Sequence, residues 1–182
     1  MNSTNAPDAL DLPAMRAFVL QAQIAYAKGK ITLARAPDGR KSLTIENDTY
    51  LLTDEFDGGN PFCGIERLIR KSDNHVIWNG YYHGWLTQNA KDASYTVADV
   101  FNFLRRALQE FDEGTIFRGP ASFKDGALTY TNTLEFGTFD CFYGHETIQD
   151  GKGAIVVLRS LRRRTGRFSR GRWRGIKITP LT

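Results

Sequence analysis

The sequence predicts an α+β fold of two similar α-β-β-β-β halves, with antiparallel sheet packed on two helices. Three observations predict it. Two segments carry the same helical spacing of apolar residues 85 positions apart, and strand-rich stretches recur without gaps at an offset of 80. The 182 residues, 41% hydrophobic and 24% charged, have the composition of one globular domain and too little length for two ordinary ones.

The first helix is expected from Leu12 to Lys28. Met15, Phe18, Val19, Ala22 and Tyr26 line one face, Asp11 is the N-cap, Pro13 suits the first turn and Gly29 ends it. The second is expected from Val97 to Phe111. Its face is Val100, Phe103, Leu104, Ala107 and Phe111, with Thr96 and Asp99 in capping-box positions and Gly114 as the stop.

After each helix the residues read as about four antiparallel strands. Turn signals fall at 37–39 (PDG), 46–48 (END), 57–61 (DGGNP), 72–74 (SDN), 124–126 (KDG) and 149–153 (QDGKG). At the offset of 80, Tyr50, Thr53, Glu55 and Phe56 match Tyr130, Thr133, Glu135 and Phe136. Phe62, Gly64, Glu66 and Val76 match Phe142, Gly144, Glu146 and Val156. The expected layout is a flexible N-terminus (1–11), one duplicated domain (12–158, halves about 12–90 and 95–158) and an Arg-rich extension (159–182). A pocket or groove is expected near the pseudo-dyad relating the halves.

No apolar run approaches the ~18 residues of a membrane span. The opening residues lack the basic and apolar regions of a secretory signal, and two cysteines make no disulfide framework. The expectation is a cytoplasmic protein that does not enter a membrane. The net charge of +4 is split unevenly. Residues 1–150 hold 14 Lys and Arg against 20 Asp and Glu, whereas residues 151–182 hold 10 and none. The body is mildly acidic and the end strongly basic.

Alternate residues of a strand share a face. Phe62, Gly64, Glu66 and Leu68 form one face, as do Phe142, Gly144, Glu146 and Ile148. Each half thereby places a carboxylate among apolar neighbours, where it must be hydrogen-bonded, paired or protonated. Glu66 and Glu146 read as structural carboxylates, as anchors of a shared ligand cavity, or as an acid–base pair. In the strand 76–84, Trp78 and Tyr82 read as core, and Tyr81 and His83 as the face turned to a ligand. Gly64 and Gly144 read as places of close backbone approach or a bulge.

The nucleotide-loop, dinucleotide, zinc-protease and hydrolase motifs are all absent. Cys63, Cys141, His83 and His145 contain no tight metal-ligand pair, and Cys141 and His145 lie about 13 Å apart along a strand. No cofactor and no metal is expected. The terminal run interleaves arginines with Phe168 and Trp173. Arg162, Arg163, Arg164 and Trp173 are its candidates for gripping phosphates and stacking on bases. The same run reads equally as a solvated or oligomer-contacting extension, or as an out-of-frame terminus. It begins where the second half should supply a partner for Trp78–Gly84, so the last strand is expected to break at Leu158.

The chain resembles an uncharacterised bacterial domain of unknown function often found behind an Xre-type helix-turn-helix in transcriptional regulators. The resemblance runs over about residues 14–158. It rests on Phe18 to Ala27, Gly58-Gly59, Phe62 to Glu66, Val76 to Gly84, Phe103 to Leu108, Arg118-Gly119-Pro120, Asp125 to Tyr130 and Phe142 to Ile148. It implies a sensing unit for a small molecule or a protein partner; the residues before Leu12 are too few for a helix-turn-helix, so a stand-alone form is expected. The leading expectation is a non-enzymatic ligand-sensing or interaction domain. The alternatives are a small hydrolase using Glu66 and Glu146, with Arg118 holding an anionic group, and nucleic-acid binding through the tail.

Overall fold

The structure, a computed structural model, describes residues 10–110, 115 and 118–164. Helix α1 spans Leu12–Ala27. Strands β1 (Ala34–Arg35), β2 (Lys41–Glu46), β3 (Tyr50–Asp57), β4 (Phe62–Arg70) and β5 (His75–Leu86) follow. Then come α2 (Gln88–Asp92), α3 (Val97–Gln109), β6 (Ser122–Asp125), β7 (Leu128–Thr138), β8 (Cys141–Asp150) and β9 (Gly153–Arg164).

The helix signals are realised locally. The Asp11 carboxylate accepts the Ala14 N–H at 3.0 Å and opens α1. At α3 the Thr96 side chain takes the Asp99 N–H at 3.1 Å while the Asp99 carboxylate takes the Thr96 N–H at 3.0 Å, the reciprocal capping box. Val100, Phe103, Leu104, Ala107 and Leu108 of α3 are buried; each large one contributes about 1.5–3 kcal/mol. The short α2 and the two-residue β1 have no counterpart in the sequence-based expectation.

The sheet corrects the predicted fold class. Among the described residues all nine strands form one antiparallel sheet in the order β1-β2-β3-β4-β5-β9-β8-β7-β6, and strand residues outnumber helical ones more than twofold. This is a sheet-dominated fold, not an α+β arrangement of two α-β-β-β-β halves on two helices. The reason lies in β9. It does not break at Leu158 but runs on through the arginines to Arg164, and its edge pairs with β5 from Trp78↔Arg164 to Leu86↔Val156. That seam fuses the two strand runs. At its middle Tyr81 faces Leu161, two residues separated by the same 80 positions that relate the runs in sequence.

The helices cover one face of the sheet. Met15, Phe18, Val19 and Ala22 of α1 pack with Tyr50, Leu52, Leu68, Ile77 and Trp78. The α3 residues pack with Leu128, Tyr130, Ile148, Ile155 and Leu158. A bulge between Leu68 and Ile69 on the β4–β5 ladder lets β5 turn both Ile77 and Trp78 inward, each 1% exposed. Tyr81, Leu161 and Phe136 are exposed. Among the described residues no helix is long and apolar enough to cross a membrane.

Candidate functional site

Strand alternation builds the site. Leu52, Asp54 and Phe56 of β3, Phe62, Gly64, Glu66 and Leu68 of β4, and Gly80 and Tyr82 of β5 share the covered face. Asp54 is the direct cross-strand partner of Glu66, and Glu66 in turn of Gly80. Glycine is required twice here. A Cβ at Gly64 would collide with the Tyr82 ring and hydroxyl, and one at Gly80 with the Arg162 guanidinium. The close approach at Gly64 is therefore by a side chain, not by the backbone that its strand context suggests.

Five charged side chains, four of them buried, and two phenols then arrange themselves. The Tyr82 hydroxyl donates to Asp54, 3.1 Å from each carboxylate oxygen. Arg162, 1% exposed, is ion-paired with Glu66, which also accepts from Gln23 Nε2 at 3.4 Å. The Arg162 guanidinium lies over the Trp78 ring, 5.3 Å from its centroid. Glu146 is held separately. Arg118 reaches it with Nε at 3.0 Å and Nη2 at 3.3 Å, and the Tyr130 hydroxyl donates to it at 3.1 Å. Asn132 Nδ2 fixes the Arg118 carbonyl at 2.8 Å.

Burial sets the titration behaviour. It pushes the Asp54 carboxyl up to about 6, against the Tyr82 hydroxyl and the more distant Arg162, which favour ionisation. Burial also raises the Tyr82 phenol above its ordinary value, reinforced by Asp54. For Arg118, burial works to lower the pKa, but the Glu146 carboxylate beside it holds the guanidinium above its ordinary value. Burial pulls Arg162 down to about 10, opposed by Asp54, so it stays cationic at neutral pH.

Above these groups lies a cavity of about 370 Å³, bounded by α1, α3 and the β2–β5 part of the sheet. Its walls are apolar, with Leu43, Leu52, Phe56, Phe62, Phe101 and Leu104 prominent. Asp54, Glu66, Tyr82, Gln23 and Arg118 supply polar groups, and Lys41 and the exposed Arg105 add cations. This size and lining match small-molecule sites in general. The cavity lies mainly over β2–β5 and reaches the β5–β9 seam at Tyr82 and Leu158.

The expected site residues are thus divided. Glu66 and Arg118 line the cavity. Glu146 does not; β5 and β9 lie between its strand and that of Glu66, an offset on the order of 14 Å. The two glutamates therefore do not meet, and each has its own arginine. Tyr81, 45% exposed, and His83, stacked on Trp85 at 6.1 Å, face away from the cavity. Arg162 is an interior ion-pair member, withdrawn from any phosphate. Arg163 and Arg164 are in β9, and Trp173 lies outside the described residues. Cys63 and Cys141 are exposed thiols, and Cys63 pairs across strands with His83.

Sequence reasoning missed Asp54, Tyr82 as a site residue, and Gln23. The signal for Asp54 was present: Leu52-Asp54-Phe56 alternates as Gly64-Glu66-Leu68 does. The repeat comparison passed over it because the position 80 residues on is Leu134.

A family model described as a domain of unknown function (DUF5680) matches residues 54–160, a span that opens on Asp54 and closes on Ser160 of β9. No curated protein and no solved structure matches the chain.

Proposed function

The chain belongs to the DUF5680 family, and we propose that it is a non-enzymatic ligand-binding domain whose ligand enters the cavity between α1, α3 and the sheet. One observation carries the reading. An apolar space of about 370 Å³ ends on a buried carboxylate, Asp54, that has no cation in contact among the described residues. Close packing is the rule in protein interiors, and a void of this size beside a carboxylate forfeits contacts and charge compensation that an occupant restores.

The resemblance to a bacterial domain found behind helix-turn-helix modules supports an effector-sensing role. The seam pairing of Tyr81 with Leu161 supports an origin of the two strand runs by duplication. The separation of Glu66 from Glu146 removes the geometry that favoured a hydrolase built on that pair.

Titration with N-phenyl-1-naphthylamine, a dye that fluoresces in apolar surroundings and stays uncharged at neutral pH, tests the cavity. The wild-type protein should bind one dye per chain. Ala22→Phe, which projects a ring from α1 into the space, should abolish binding while circular dichroism shows a folded chain. Equal dye binding by the folded variant would place the ligand site elsewhere.

A further inference from the structure

The charges lining the cavity balance in number, Asp54, Asp57 and Glu66 against Lys41, Arg105 and Arg118, but they are not matched in place. Asp54 and Glu66 stand side by side on β3 and β4 and both line it. The guanidinium of Arg162 is taken by Glu66, and that of Arg118 by Glu146. Among the described residues Asp54 receives only the neutral Tyr82 hydroxyl. The other polar groups facing this space are Gln23 and Tyr26 from α1, Lys41 from β2, the exposed Asp57 from β3 and Arg105 from α3. Gln23 turns its NH₂ to Glu66, which leaves its Oε1 buried without a donor. The Lys41 ammonium lies over the Phe56 ring and against Gly58, and Arg105 is exposed. The under-satisfied groups at the cavity are thus a carboxylate and an amide carbonyl. A donor complements the second and a cation the first.

Building on the ligand-cavity reading above, we infer that the ligand is an amphipathic amine, its protonated nitrogen held by Asp54 and the Gln23 carbonyl and its apolar body against Leu43, Leu52, Phe62, Phe101 and Leu104. A carboxylate or phosphate head is disfavoured at that end, because it adds a second anion to an uncompensated one. A neutral alcohol satisfies the hydrogen bonds but leaves the charge unpaired. Because the ammonium pairs with ionised Asp54, affinity rises as pH climbs through about 6, and binding near that pH releases a proton.

Displacement of N-phenyl-1-naphthylamine by three matched compounds tests this: 4-phenylbutylamine, 4-phenylbutan-1-ol and 4-phenylbutyrate. The amine should compete at least about tenfold better than the other two at pH 7.5, the effect of one modest charge pair. That advantage should vanish at pH 5 and in Asp54→Asn; the wild-type pH profile tests the same group without any substitution. Equal or better competition by the alcohol or the carboxylate, or an advantage that survives at pH 5, overturns the amine assignment while bound dye leaves the cavity reading standing. Failure of wild-type protein to bind the dye or any of the three compounds overturns the cavity reading, and the amine with it.

Discussion

Asp54 and Glu66 are direct cross-strand partners on one buried face, yet among the described residues only Glu66 has a cation, Arg162, in contact. Like charges opposite each other on neighbouring strands destabilise a sheet. One guanidinium for two carboxylates leaves the second to be protonated or to find a counter-ion from outside.

The first expectation concerns pH. Burial raises the Asp54 carboxyl from 3.8 to about 6, so the folded protein binds this proton more tightly than the unfolded chain does. The resulting stability is fully present below about pH 4 and is lost as pH rises through 6. A shift of about two units corresponds to on the order of 3 kcal/mol. Asp54→Asn, which keeps a partner for the Tyr82 hydroxyl, should therefore exceed wild type in stability at pH 7.5 by roughly 2–3 kcal/mol. The gap should close towards pH 4. Urea unfolding midpoints at pH 4, 5.5 and 7.5 measure it; a gap independent of pH contradicts the buried-charge account.

Arg162 gives the converse case. Removing the guanidinium in Arg162→Met leaves two buried carboxylates with no cation in contact, and breaking a buried pair in this way costs about 3–5 kcal/mol. Adding Glu66→Gln should return much of that loss, because the replacement amide needs hydrogen bonds but no counter-ion. A double-mutant cycle in urea reads the coupling. Additive losses would mean that the two side chains do not act as a pair.

Sequence alone reached the parts of this fold that are decided locally. The Asp11 cap and the Thr96–Asp99 capping box are set by neighbours three residues apart, and both formed. Period-two alternation placed Glu66 and Glu146 on the buried face, where they lie. It was silent on which strand edges join, since edge pairing is a backbone matter between distant segments. Hence the β5–β9 seam was missed, and a run of arginines was read as a nucleic-acid-gripping, solvated or oligomer-contacting, or out-of-frame end although Arg162 is a core residue. The choice of Tyr81 and His83 over Tyr82 has another cause. Alternation put Trp78 and Tyr82 together on the core face, but it does not say that the core face encloses a cavity.

The seam predicts the fate of a shortened chain. A chain ending at Leu158 loses every β5 partner from Arg159 to Arg164, and with them the Arg162 contact to Glu66 and its stacking on Trp78. It should lose cooperative unfolding and the near-ultraviolet circular dichroism of the packed tryptophan. Reduced nucleic-acid binding by such a chain therefore says nothing about the basic tail. Charge-neutralising substitutions beyond Arg164 are the informative ones. A shortened chain that unfolds at the wild-type urea midpoint would show the seam to be dispensable.

Gly64 links packing to the charge on Asp54. A methyl group there meets the Tyr82 ring and hydroxyl, so Gly64→Ala must displace the phenol that donates to Asp54. Overpacking of this kind costs about 1–3 kcal/mol. The displaced donor also removes an interaction favouring the carboxylate, which moves the Asp54 carboxyl still further up. Two readouts should then change together: the urea midpoint falls at every pH, and the pH at which stability declines shifts upward. Gly151→Ala is the control. Its Cβ would meet nothing within 4 Å, so its stability should stay within about 0.5 kcal/mol of wild type with the pH profile unmoved. A Gly64→Ala chain that loses stability without moving that profile would mean that Tyr82 packs against Asp54 but does not govern its charge.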